Sequence, residues 1–141
     1  MTTEFAQLGL ISQLEQTVSE LGYITPTPIQ SEIIPLMLDG DDVIGQAQTG
    51  TGKTAAFMIP ILQSLEPRHG GIQALVLTPT RELAIQVAKA TTEYGKHLNV
   101  HVLPIYGGQP YNLQVNRLRQ GVDIVVGTPG RLLDLINKGI L

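Results

Sequence analysis

The segment Ala47-Gln48-Thr49-Gly50-Thr51-Gly52-Lys53-Thr54 carries the strongest chemistry in the sequence. Gly50 and Gly52 let the backbone turn its N–H groups inward around phosphate oxygens, and a helix beginning at Lys53 would add partial positive charge. Lys53 would reach β- and γ-phosphates, and the Thr54 hydroxyl would ligate Mg²⁺. The general phosphate-loop pattern wants Gly where Ala47 stands, so the match departs by one small residue. The bland alternative is a Gly/Thr-rich turn that binds nothing. Hydrolysis also needs a carboxylate on the metal, usually an Asp at the end of a second apolar strand. The apolar runs after residue 72 end in Thr78, Tyr106 and Gly127, while Asp123 stands at the start of its run and Asp134 inside a helical stretch. By its residues the chain binds a nucleotide and holds no catalytic group to split it.

A second feature is an echo at a separation of 50 residues: Leu77-Thr78-Pro79-Thr80-Arg81-Glu82-Leu83 and Gly127-Thr128-Pro129-Gly130-Arg131-Leu132-Leu133. In each, Thr can cap a helix that Pro begins, leaving N–H groups open at the strand end with Arg81 or Arg131 one turn in. Ligands of open α/β sheets bind at that edge. With Gly107-Gly108 ending the strand between them, the two corners suit a polymer held by its phosphates rather than read by its bases. Thr-Pro is equally good helix-start chemistry, with each Arg paired to a neighbouring acid. Gln30 stands three residues after Thr27, where it completes a capping box, and helix stability alone would explain it. Tyr23 would stack on a base or simply pack. His69, His97 and His101 show no metal-ligand spacing, and no Ser/His/Asp arrangement is recognisable.

These side chains must be positioned by a fold, and 141 residues, 43% hydrophobic and 15% charged, suffice for one globular domain. The absence of Cys excludes disulfide scaffolds, thiolate metal sites and cysteine nucleophiles. No apolar run approaches the roughly 18 residues that span a bilayer. No basic-then-apolar leader opens the chain, so a cytoplasmic protein without a membrane partner is expected. The net charge of −3 hides an asymmetry: residues 1–52 hold seven acids and no base, whereas 53–141 hold nine bases and five acids. The second part is the one suited to phosphates.

Ile11, Leu14, Val18 and Leu21 recur at helical spacing before Gly22, predicting a first amphipathic helix. Thr27 and Pro28 start a second one running toward Gly40, which Pro35 should kink or shorten. Beyond it one plan repeats, an apolar run, a Gly/Thr/Pro corner and a 3.6-period segment, which is the βαβ pattern. Strands are predicted at 42–46, 73–77, 100–105 and 122–126, and helices at 53–65, 81–94, 111–119 and 131–137. Runs such as Ala74-Leu75-Val76-Leu77 and Ile124-Val125-Val126 do not alternate in polarity, as suits strands covered on both faces of a parallel sheet. The fold class is α/β, with right-handed crossovers and four to five strands.

With these motifs the chain resembles the N-terminal part of the first RecA-like domain of the DEAD-box ATP-dependent RNA helicases, bacterial type. The resemblance rests on Phe5 as an upstream aromatic and on residues 22–30 (Gly22-Tyr23-Ile24-Thr25-Pro26-Thr27-Pro28-Ile29-Gln30), similar to the Q motif. Residues 47–54 resemble motif I in the family's own AxTGxGKT form, where Ala47 is no defect. Residues 79–84 resemble motif Ia, Gly107-Gly108 a glycine doublet, and 128–131 motif Ib. Residues 1–141 would then be one partial domain, a P-loop NTPase with an open parallel sheet and helices on both faces.

The resemblance implies ATP or ADP and Mg²⁺ as cofactors. Phe5, Tyr23, Thr25, Gln30, Ala47, Gln48, Thr49, Gly50, Thr51, Gly52, Lys53 and Thr54 would form the nucleotide site. Gln30 would read the adenine edge, Tyr23 would stack on the ring, and Thr54 would meet Mg²⁺ through the nucleotide. Pro79, Thr80, Arg81, Gly107, Gly108, Thr128, Pro129, Gly130 and Arg131 would lie along an RNA backbone without reading sequence. The Asp-Glu-Ala-Asp motif, the Ser-Ala-Thr motif and a second domain with arginine fingers are expected beyond Leu141, so the chain reads as truncated. The parent would couple ATP binding and hydrolysis to RNA duplex unwinding, whereas this chain would bind adenine nucleotide without ATPase or unwinding activity. One rival is a stand-alone nucleotide- and RNA-binding module that regulates a full helicase. A small phosphoryl-transfer kinase is another, disfavoured because no Arg-rich lid follows. An uncovered sheet edge would also invite dimerisation.

Overall fold

A computed structural model of the chain describes residues 4–48, 52–67 and 69–141. It is an α/β protein that divides into two compact units, Met1–Leu65 with Glu93–Asn99, and Glu66–Thr92 with Val100–Leu141. Among the described residues no helix is long and apolar enough to cross a membrane.

The first unit holds a 3₁₀ turn (Glu4–Leu8) and helices α1 (Ser12–Glu20), α2 (Pro28–Leu38) and α3 (Lys53–Ser64). α1 buries Leu14 and Val18 of the predicted stripe together with Thr17, while Ile11 is exposed ahead of the helix and Leu21 half-buried after it. It ends where Gly22, at φ 78°, lets Tyr23 N–H reach the Val18 carbonyl at 2.8 Å. Pro28 opens α2, and the helix continues through Pro35 to Leu38 instead of stopping. The one donor lost at Pro35 is outweighed by a continuing apolar face: Ile29 and Ile33 pack with Ala56 of α3, and Met37 extends the cluster. Gln63 of α3 accepts the Ile11 N–H and donates to the Gly9 carbonyl, both at 2.9 Å, which fixes the entry to α1.

At the other end of α1, Glu20 is bound by Lys96 and by His97, whose Nε2 lies 3.1 Å from Oε1. The hydrogen bond from Lys96, reinforced by His97, lowers the Glu20 carboxyl from 4.5 to about 2. Because the folded value lies below the unfolded one, this tie is present above pH 4.5 and is lost as pH falls toward about 2. Exchange of the backbone amides around 95–99 should therefore accelerate over that window, and Glu20→Gln should remove the dependence; an unchanged profile in the variant would assign it elsewhere.

Residues 42–46, predicted as a strand, form none. The segment 43–48 alternates between half-buried and exposed: Val43 and Ala47 pack against the α2–α3 cluster, while Ile44 is fully exposed. Gly45 passes so close to Phe57, Ile33 and Ile29 that a Cβ there would meet them at 2.9–3.2 Å. The run is seated by side-chain packing on one face and has no ladder partner among the described residues. An apolar run announces extended backbone, and a strand needs a neighbour as well.

The second unit contains strands β1 (Ala74–Leu77), β2 (Val102–Ile105) and β3 (Ile124–Gly127). Helices α4 (Arg81–Tyr94), α5 (Tyr111–Gln120) and α6 (Pro129–Asn137) follow them in turn, with the last two residues of α4 in the first unit. The sheet is parallel, ordered β1-β3-β2, with Leu77 and Ile105 both level with Gly127. Three strands among the described residues replace the four to five expected, because 42–46 does not join them. Central β3 is buried throughout. Leu103, Ile105, Val115, Val122, Val125, Leu132 and Leu135 form the core of this unit, closed by Tyr111, Leu118, Ile140 and Leu141. Asp123 staples the amino edge of the sheet: its Oδ2 accepts the His101 N–H at 2.8 Å and its carbonyl the Gln73 N–H at 2.8 Å. That is a structural role, as its place at the start of the run implied.

Candidate functional site

A cavity of about 420 Å³ in the first unit is lined by Phe5, Gly22, Tyr23, Ile24, Thr25, Thr27, Gln30, Gly52, Ala55 and Tyr94. Phe5 is buried and stacks behind Tyr23, with ring centroids 6.3 Å apart and planes at 27°, which leaves the partly exposed Tyr23 ring as the apolar wall. Thr25 is exposed at the rim.

Gln30, only 4% exposed, is the polar group at the centre. Its Oε1 accepts the Thr27 N–H at 2.9 Å, as the capping-box spacing predicts, and its Nε2 donates to the Gly52 carbonyl at 3.3 Å. One amide thus joins the start of α2 to the start of α3. It retains one N–H and one acceptor lone pair for a ligand. The Thr27 hydroxyl oxygen beside it is buried with no hydrogen-bond partner.

Gly52 caps α3 in the left-handed region at φ 83°, and Lys53 and Thr54, the first two helical residues, are half-buried. The first N–H groups of α3 have no partner within the helix, so its amino end is suited to an anion. Thr49, Gly50 and Thr51 lie outside the described residues. Ala47 is half-buried against the α2–α3 cluster, and Gln48 is exposed. Among the described residues no group of three His, Asp or Glu side chains could hold a metal ion.

Tyr94, at the end of α4, is the site residue that sequence reasoning missed. Burial and the neighbouring Tyr23 hydroxyl hold its phenol far above the ordinary tyrosine value, so it stays neutral and fixes the Tyr23 side of the cavity. Nothing in its local spacing points to this; its only signal was an aromatic closing an amphipathic helix.

The second unit gathers the corners that follow the three strands. The first departs from the Thr-Pro reading alone: α4 begins at Arg81, where the 3.6-period segment predicts it, so the cap is Thr80, whose Oγ1 accepts the Leu83 N–H at 3.2 Å, and Pro79 stands before the helix. Thr78 instead continues the ladder, its N–H donating to the Gly127 carbonyl at 2.9 Å. At the second corner α6 begins at Pro129, as the Thr-Pro reading expects and two residues before the predicted range, but the Thr128 side chain makes no capping hydrogen bond. Thr80 has a side chain that can cap, whereas Gly130 has none. Arg81 is therefore the first residue of its helix and Arg131 the third of its own.

Arg81, Pro79, Thr80, Gly107, Gly108, Pro129 and Gly130 are exposed, and Thr128 and Arg131 are half-buried. Gly108, at φ 88°, makes the turn; a Cβ there would lie 3.5 Å from Arg81 Nη1. The glycine pair and Arg81 thus come together, and the pair is tied to Arg131 through Gln109 and Gln114. Neither glutamine was singled out in the sequence.

Residues 27–141 match the family model described as DEAD/DEAH box helicase. The chain is 56% identical over 140 residues to the ATP-dependent RNA helicase DeaD of Escherichia coli, covering 99% of this chain and 22% of that one. It is 52% identical over 139 residues to the DEAD-box ATP-dependent RNA helicase CshA of Bacillus cereus, covering 99% and 26%. Among solved structures, a DEAD box protein from Methanococcus jannaschii superposes with a TM-score of 0.92 at 43% identity, covering 97% of this chain and 38% of that one. A hypothetical ATP-dependent RNA helicase from Sulfolobus tokodaii superposes with a TM-score of 0.85 at 48% identity, covering 94% and 38%. The chain spans about a quarter of the length of the curated relatives it matches.

Proposed function

We propose, since the chain belongs to the DEAD/DEAH box helicase family, that its first unit binds ATP or ADP and its second unit binds the sugar–phosphate backbone of RNA. The whole protein, on this reading, couples ATP binding and hydrolysis to RNA duplex remodelling, with a second helicase domain as partner. The observation that carries the nucleotide half is the Gln30 amide, held from two sides at the centre of an aromatic-walled cavity. Its remaining N–H and lone pair match the N7 acceptor and N6–H donor of adenine, whereas guanine presents two acceptors along that edge. Lys53, Thr54 and the α3 amides would hold the phosphates, and Mg²⁺ would sit between Thr54 and the nucleotide. When bound, the ion would neutralise phosphate charge. Among the described residues β1, β2 and β3 end in Leu77, Ile105 and Gly127, none of them a carboxylate that could complete a metal site at the strand ends, so the chain alone would bind nucleotide and leave it uncleaved.

The test is calorimetric titration with ADP and with GDP, repeated on Gln30→Ala. ADP should bind more tightly than GDP by roughly 1–3 kcal/mol, and Gln30→Ala should abolish most of that difference. Equal binding of the two nucleotides by the wild-type chain, or no binding by a folded chain, would defeat this reading.

A further inference from the structure

Gln114 is the fourth residue of α5 and is 2% exposed, yet both its amide N–H groups and its carbonyl oxygen are hydrogen-bonded. Its Nε2 donates to the Tyr106 carbonyl at 3.0 Å and to Gln109 Oε1 at 2.6 Å, and its Oε1 accepts from Arg131 Nη1 at 2.8 Å. Tyr106 immediately precedes the Gly107-Gly108 turn and Gln109 immediately follows it, so one side chain grips both flanks of the glycine pair. Gln109 closes the ring by donating to the Tyr106 hydroxyl at 2.9 Å, and its carbonyl accepts from Arg131 Nη1 at 3.3 Å. The Arg131 guanidinium also lies over the Tyr111 ring, 5.9 Å from its centroid. Burying an amide is costly unless its donors and acceptor are used, and here they are used on two segments, 106–109 and Arg131, that lie 22 or more residues apart in sequence. Among the described residues the Arg131 side chain donates to Gln109 and Gln114 through Nη1, and a planar guanidinium held at Nη1 has its Nη2 and Nε held in a fixed direction as well.

We propose that Gln114 is a positioning residue of the RNA face. It holds the Arg131 guanidinium and the Gly107-Gly108 turn in one fixed relation, so that both meet the same stretch of RNA backbone. The proposal rests on the nucleic-acid reading above and adds to it a residue that need not touch RNA. A guanidinium already fixed in place loses less freedom on binding than one that must be ordered by its ligand.

The experiment measures binding of a fluorescent single-stranded oligouridine to the full 141-residue chain across a salt series. Gln114→Met keeps the bulk and removes the amide. It should weaken binding about tenfold at low salt and make the slope of log affinity against log salt shallower by about 0.7–1, the loss of one phosphate contact. Arg131→Ala should do the same, and the double variant should be no weaker than Arg131→Ala alone. A side chain that merely fills the core would leave the slope unchanged and its effect would add to that of Arg131→Ala; either result overturns the proposal. If Gln114→Met loses cooperative melting, Gln114→Glu decides: it keeps the acceptor but cancels the guanidinium charge within the network, so it should show the same shallow slope. Wild-type binding by that variant would overturn the proposal. Failure of the wild-type chain to bind oligouridine at all would instead defeat the nucleic-acid reading, and this proposal with it.

Discussion

Gly52→Ala should lower ADP affinity by more than about 100-fold, a greater loss than Gln30→Ala should give, because it damages phosphate and base recognition together. Gly52 holds φ 83°, and a Cβ in the left-handed region costs about 1–2 kcal/mol by itself. The added methyl would also overlap Gln30 Nε2 and approach Thr27 Oγ1 at 3.1 Å. Gln30 cannot simply turn aside, since its Oε1 is held by the Thr27 N–H, so either that bond or the one to Gly52 must break. The start of α3 then shifts away from where its N–H groups would meet phosphate. Calorimetric titration of the variant with ADP measures the loss, and retention of affinity within threefold of wild type would sink this account of the cavity.

Gly127→Ala should destabilise the second unit by about 3 kcal/mol or more, at the upper end for overpacking. Its Cβ would stand 2.7 Å from the Ile105 carbonyl oxygen and 2.8–2.9 Å from two carbons of Leu132. That carbonyl is the acceptor for the Thr128 N–H at 3.0 Å, so the new methyl intrudes on a ladder bond between the central strand and β2. Leu132 is in the core and has no room to retreat. Gly71→Ala is the control, since its Cβ would meet only His69 Nδ1 at 3.8 Å, an ordinary contact. Urea unfolding followed by far-UV dichroism should separate the two variants; equal midpoints would mean that the strand relaxes at no cost.

The helices were legible because their signals are local. α4 begins and ends where the spacing predicts, at Arg81 and Tyr94, and α5 differs by one residue at its end. Pairing was less legible. Residues 42–46 read as a strand as well as 122–126 do, yet only the latter lies between two partners, and a run of apolar residues carries no information about its neighbours. The candidate nucleotide residues were nearly all visible as motifs. Tyr94 was not, because it reaches the cavity from a segment more than 60 residues away in sequence from Gln30. Gln114 was invisible for a similar reason: on paper it is a polar residue in an amphipathic helix, and only the turn from Tyr106 to Gln109 and the arrival of Arg131 make it a hub.

The level register of Leu77, Gly127 and Ile105 sets a length. Neighbouring strands lie about 4.8 Å apart, so the corners leaving these three ends stand along a line of about 10 Å across the sheet. On the nucleic-acid reading proposed above, a stacked strand advancing about 3.4 Å per nucleotide would meet that line over about three nucleotides.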